Sequence, residues 1–165
     1  MAIFAMFGVM MYASKEIMAA LPNIHLIGMF TMLLTVVYRA RALYPIYVFV
    51  FILGLVYGFP FSWWPAYLYV WTVLWGVTML LPRNMPDKVA AVVYPLVCAL
   101  HGLSFGTLCA PWQAIAFGYG WNAIWVWILA GLPFDVMHAV GNLVAGLLVL
   151  PFSKLLRRLE ARMAK

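Results

Sequence analysis

"PWQAIAFGYGWNAIWVWILAGL", residues 111–132, decides how many times this chain crosses a membrane. It carries no charge, and a crossing helix needs about 20 apolar residues, so length alone would admit it as a span. Gly118, Gly120 and Gly131, with Pro111 before them and Pro133 after, punctuate it instead. The distribution of Lys and Arg settles the choice. Arg39 and Arg41 lie in one connection, Arg83 and Lys88 in another, and Lys154, Arg157, Arg158, Arg162 and Lys165 at the end. All three groups share one side if the chain crosses six times, whereas a seventh crossing would put the basic tail outside, against the positive-inside bias. The stretch therefore reads as an outer-face loop with a short helix around 121–129, capping a bundle.

The rest of the chain fits that frame. It has 165 residues, 68% hydrophobic and 8% charged, with a mean hydropathy of +1.03. Soluble domains are about half apolar and about a quarter charged. The fold class expected is an all-α integral membrane protein, a six-helix transmembrane bundle. Spans are placed near 2–20, 26–39, 43–58, 63–81, 89–110 and 133–153, cut by "LPNIH", "RARA", "GFPFS" and "PRNMPDK". The substrate-binding domain is then 1–153, with a basic, amphipathic cytoplasmic tail over 154–165. Nine of the ten basic residues face the cytoplasm, Lys15 in the first span being the exception. The apolar run begins at Met1 with no basic region before it, so the first segment reads as a retained helix rather than a cleaved signal. The setting expected is a prokaryotic cytoplasmic membrane, multi-pass, with both termini cytoplasmic. The net charge of +6 is a topology signal and does not point to nucleic acid.

Polar groups are scarce enough to be informative. Asp135, His138 and Asn142 follow helical spacing and lie within about 60° of one another on a helix. Ionisable groups inside a membrane are costly and face a cavity, a partner or a pathway. A plainer role for Asp135 is to sit at a helix start, where the dipole favours it, with His138 bonded to a backbone carbonyl. On the fourth span Trp64, Tyr67, Trp71 and Trp75 form an aromatic stripe, either a binding wall or packing, with deep Trp75 the structural member. The outer connections add Asn23, His25, Trp112, Gln113, Tyr119, Trp121 and Asn122, with Lys15 and Glu16 just below them. An ion pair with Asp135 would account for Lys15. His101 reads as a packing or hydrogen-bonded residue, and Gly102 and Gly106, four apart, as a close helix contact. Cys98 and Cys109 share one predicted helix and stand too far apart to bridge. There is no phosphate-binding loop, HExxH or nucleophile elbow. No catalytic residue, metal site or cofactor is expected, and energy for transport would come from outside the chain.

The six-span layout, "LPNIH" after the first span and "GLPFDVMHAVGN…LLVLPFSKLL" at the end resemble the substrate-binding S components of energy-coupling factor (ECF) transporters. In the riboflavin branch of that family the comparable final segment reads Pro-Phe-Asn-x-x-Lys, and its polar residues contact ligand. The matching positions here are Asp135 and His138, with different chemistry. The resemblance implies a substrate-capture subunit, not an enzyme, that takes a vitamin or precursor near the outer face. It then delivers it inward with a transmembrane coupling subunit and two ATPase subunits. The implied binding set is Asp135, His138, Asn142, Trp64, Tyr67, Trp71, Asn23, His25, Glu16, Trp121 and Asn122. Ala2, Ala5 and Gly8 stand where the family docks its coupling subunit through an Ala-x-x-x-Ala pattern. An ionised Asp135 favours a cationic or donor-rich ligand, and the aromatics a flat heterocycle of the thiamine or pyridoxine type. Alternatives are an MreD-like cell-shape scaffold, and a small membrane haem or quinone oxidoreductase using His25, His101 and His138.

Overall fold

The computed structural model describes residues 2–21 and 23–163. Met1, Pro22 of the first connection, and Ala164 and Lys165 of the basic tail lie outside that description. The described chain is all helical, with no strand among the described residues. Its helices are α1 (Ala2–Ile17), α2 (Ile27–Tyr38), α3 (Leu43–Tyr57), α4 (Trp64–Met79), α5 (Asp87–Leu103), α6 (Phe105–Phe117), α7 (Trp121–Gly146) and α8 (Val149–Met163). Among the described residues, three helical stretches are long and apolar enough to cross a membrane: Ile27–Tyr57, Asp87–Phe117 and Trp121–Gly146. Phe51, Leu55, Val56, Val126, Leu129 and Val144 are all more than half exposed. A single exposed apolar residue is ordinary, but so broad an apolar exterior suits lipid.

The first of these stretches is broken in the middle. Arg39 has φ +55° and begins a 3₁₀ turn, Arg39–Ala42, a left-handed conformation that interrupts the helix ladder. Its guanidinium bonds the carbonyls of Met79 and Leu81, while the Trp75 indole donates to Arg39 O at 3.2 Å. Further along, Tyr47 Oη donates to Leu68 O, and Trp64 Nε1 to Val50 O at 2.9 Å. Helix α3 therefore runs antiparallel to α4. Helix α1 lies parallel to α3: Phe4 meets Tyr44 at one end, and Tyr57 meets Glu16 at the other.

The stretch 111–132 departs from the sequence expectation. It is neither a loop nor a short cap. Residues Pro111–Phe117 complete α6, Gly118 closes that helix at φ +64°, and a new helix begins at Trp121. Helix α7 then runs 26 residues, about 39 Å at 1.5 Å per residue, straight through Pro133. Proline removes one backbone donor and crowds the preceding turn, and Pro95 and Pro111 also stand inside helices. Helices in lipid tolerate this because neighbouring elements re-satisfy the freed groups. The cysteines, placed in one predicted helix, divide between α5 and α6; both are buried and free.

Glycine sets the closest approach. Helices α5 and α7 make the most extensive helix–helix contact. A Cβ on Gly102 would lie 2.9 Å from the backbone of His138, and one on Gly146 2.6 Å from Pro95 Cα. The two backbones touch where side chains would hold them apart. The core on either side is apolar: Met11, Ile27, Leu34, Phe49 and Leu53 around Trp71, and Met29, Met32, Tyr94, Cys98 and Val149 beyond.

At one end of the bundle the basic groups gather. Helix α7 ends at Gly146 and α8 turns across that end, where Arg157 donates to Val36 O at 3.1 Å and Lys154 pairs with Asp87. The helix α8 begins at Val149, so it straddles the 153/154 boundary expected for the tail.

Candidate functional site

The polar stripe of α7 points into the bundle. Asp135 is 5% exposed, His138 2% and Asn142 1%. Each faces a glycine or a glycine-flanked turn. Gly106 N donates to Asp135 Oδ1 at 3.0 Å, Gly102 lies against the His138 backbone, and a Cβ on Gly28 would meet the Asn142 amide at 3.0 Å. The missing side chains are what leave room for polar groups between packed helices.

Rings from four elements close around His138. His25, from the connection between α1 and α2, meets it edge-on at 4.7 Å between centroids, as does Phe105 of α6. Trp71 of α4 is fully buried and touches His25, Phe49, Tyr67, His101 and Phe105, all between 5.5 and 6.3 Å. Burial pushes the His25 imidazole down to about 4, so the ring is neutral near pH 7. His101 Nε2 lies 3.1 Å from Val70 O. A carbonyl can only accept, so Nε2 carries the proton and Nδ1 is left as a lone pair.

Many buried polar atoms have no partner among the described residues. They include His25 Nδ1, Thr31 Oγ1, Trp71 Nε1, His101 Nδ1, Asp135 Oδ2, His138 Nε2 and both amide atoms of Asn142. Leaving one buried polar atom unsatisfied costs about 1–3 kcal/mol. Eight together would rival the entire stability of a typical domain, about 5–15 kcal/mol. Such a set calls for water or a ligand with complementary groups.

A cavity of about 400 Å³ adjoins the cluster, lined among others by Asn23, Trp63, Tyr67, Phe105, Trp127 and Asp135. Phe105 and Tyr67 each touch Trp71, so they form the wall between the cavity and the rings below. A larger open groove of about 710 Å³ runs along α3 between Tyr44 and Phe51. It is almost wholly apolar and lies away from the polar stripe, as a lipid-facing groove would.

The residues expected at the site therefore divide. Asp135, His138, Asn142, His25, Trp71 and Tyr67 converge, and Asn23 sits at the cavity rim. Trp64 does not: its N–H ties α4 to Val50 O and its ring packs on Phe59. Glu16 is engaged with Lys15 and Tyr57 at the surface, so Lys15 pairs there and not with Asp135. Trp121 and Asn122 are exposed at the start of α7, with Trp121 packed on Trp125. Of the docking residues, Ala2 and Ala5 are exposed, but Gly8 is buried against Val48, where a Cβ would come within 2.5 Å.

Phe105, Trp63, Trp127 and Gly106 were not expected at the site. The regular spacing of Phe105, Cys109 and Gln113, four residues apart beside Gly102 and Gly106, is the signal that marks this face of α6. Among the described residues, no three His, Cys, Asp or Glu side chains are placed to hold a metal ion together. Phe105 packs against both His101 and His138, at 6.2 and 4.7 Å, and His25 touches His138 directly. Those contacts leave no room for a haem plane between the imidazoles. No family model, curated protein or solved structure matches the chain.

Proposed function

We propose that this chain is a membrane-embedded substrate-capture subunit, the S component of an ECF-type importer for a small heterocyclic vitamin or precursor. One observation carries the reading. The polar stripe of α7 is buried with atoms that have no partner among the described residues, and its first member, Asp135, lines a cavity of ligand size. A purely structural bundle gains nothing from such a costly interior.

The proposed topology has six crossings, formed by α1, α2, α3, α4, the joined α5 and α6, and α7. Supporting it, Arg39, Arg41, Arg83, Lys154 and Arg157 gather around two concavities at one end of the bundle. The positive-inside bias makes that end cytoplasmic, which places the cavity near the outer face and both termini inside. Substrate enters from outside, and a coupling subunit with two ATPase subunits supplies the energy for release inward. Exposed Ala2 and Ala5 offer the smooth part of the docking face; Gly8, held against α3, does not take part directly.

The test is mass spectrometry of small molecules released from detergent-purified protein, with an Asp135→Ala, His138→Ala double variant alongside. A heterocycle enriched with the wild type and reduced at least about tenfold in the variant is expected, since two buried hydrogen-bonding groups are lost. An empty wild type after growth in vitamin-replete medium overturns the capture reading and favours a scaffold. Equal occupancy of both proteins keeps capture and overturns the site.

A further inference from the structure

We propose that the 400 Å³ cavity takes its ligand by a cationic nitrogen, held between the Asp135 carboxylate and the faces of the surrounding aromatic rings. The inference rests on the capture reading and names the chemistry of its substrate, an organic cation carrying a protonated amine, a quaternary ammonium or a charged heteroaromatic nitrogen.

The cavity wall sets a carboxylate among aromatic rings, beside the polar groups of Asn23 and Gln113. Among the described residues that line it, Asp135 alone is charged, and none is Lys, Arg or His. Asp135 lines the cavity; one carboxylate oxygen accepts the Gly106 N–H, while Oδ2 is buried beside Gly106 with no donor among the described residues. Lys15, the partner expected for Asp135 from the sequence, is turned to Glu16 and to the Tyr57 ring. Gln113 also lines the cavity, and its amide N–H donates to Ser62 O at 3.0 Å. Gln113 keeps its carbonyl oxygen as an acceptor and one further amide N–H as a donor.

Five aromatic side chains complete the wall, Trp63, Tyr67, Phe105, Trp127 and Phe134. Ring faces carry the negative lobe of the quadrupole and attract a desolvated cation. A neutral donor would satisfy Oδ2 but draw little from the rings. An anion would be repelled by both. A positive nitrogen uses every one of these features, and it also neutralises a carboxylate that is otherwise expensive to bury.

The experiment compares two probes of the same shape, benzyltrimethylammonium and its uncharged carbon analogue neopentylbenzene, titrated into the full-length protein in detergent. Fluorescence of Trp63 and Trp127 reports occupancy of the cavity. The cation should bind saturably and at least about tenfold more tightly than neopentylbenzene. Asp135→Asn, which keeps the side-chain shape, should lower affinity for the cation by about tenfold or more. Equal affinity for the two probes on the wild type overturns the proposal without requiring any variant to fold, and so does unchanged cation binding to D135N. Molecules released from purified protein separate this failure from that of the capture reading. A neutral or anionic compound, lost in the double variant above, leaves capture standing and overturns the cation. If neither a released compound nor benzyltrimethylammonium binds, both readings fall.

Discussion

Gly102→Ala is expected to lower the thermal midpoint of the purified protein, and Gly102→Leu to abolish recovery of folded material. The added Cβ would stand 2.9 Å from the His138 carbonyl carbon and oxygen and 3.0 Å from Ala139 Cα. All three atoms belong to the backbone of α7, so no rotamer change relieves the clash and the two helices must separate. Two effects oppose each other. Alanine in place of glycine favours a helix by about 1 kcal/mol, while overpacking a tight contact costs about 1–3 kcal/mol and more when backbones must move. The second wins here because the strain falls on the most extensive helix–helix contact in the molecule. A Gly102→Ala protein that melts at or above the wild-type temperature, followed by size-exclusion after heating, contradicts this account. Gly106→Ala provides the contrast. There the Cβ would lie 2.5 Å from Asp135 Oδ2, an atom at the end of a side chain. The carboxylate can swing aside, so this variant should fold but bind ligand poorly.

Trp71 is where packing and binding can be told apart. Removing a buried Trp side chain costs about 3–5 kcal/mol, and Trp71 is 0% exposed at the centre of five other rings. Trp71→Ala should therefore leave little folded protein. Trp71→Phe keeps an aromatic ring and deletes the indole N–H, which has no partner among the described residues. Eliminating an unsatisfied buried donor offsets part of the lost volume. Stability should stay close to wild type, while the amount of co-purifying small molecule falls, because Trp71 supports Tyr67 and Phe105, the two rings that wall the cavity. Undiminished occupancy in Trp71→Phe would make Trp71 a packing residue only.

The aromatic stripe of α4 shows how far helical periodicity reaches. Trp64, Tyr67, Trp71 and Trp75 share a face by spacing, yet they have three destinations. Trp64 bonds Val50 O, Trp75 bonds Arg39 O, and only Tyr67 and Trp71 turn to the polar cluster. Periodicity places side chains around one axis; the tilt and neighbours of that axis assign them to the lining or to a helix–helix joint. The segment 111–132 fails for a related reason. Proline and glycine are strong breakers in water, but Pro111 and Pro133 stand inside helices on exposed, apolar faces that suit lipid, where losing one hydrogen bond is cheaper than exposing a loop.

What the sequence determined by itself was local and periodic: apolar helices, basic connections that assemble at one end, the shared face of Asp135, His138 and Asn142, and the glycine pair at 102 and 106. Each follows from composition or from the 3.6-residue repeat, which needs no partner to be read. Only the tertiary structure decided what meets that face. His25 reaches His138 from a distant connection, and Phe105 comes between His138 and His101. Their positions depend on how closely α5 and α6 approach α7, a distance set by the absent side chains of Gly102, Gly106 and Gly146 acting together across three helices.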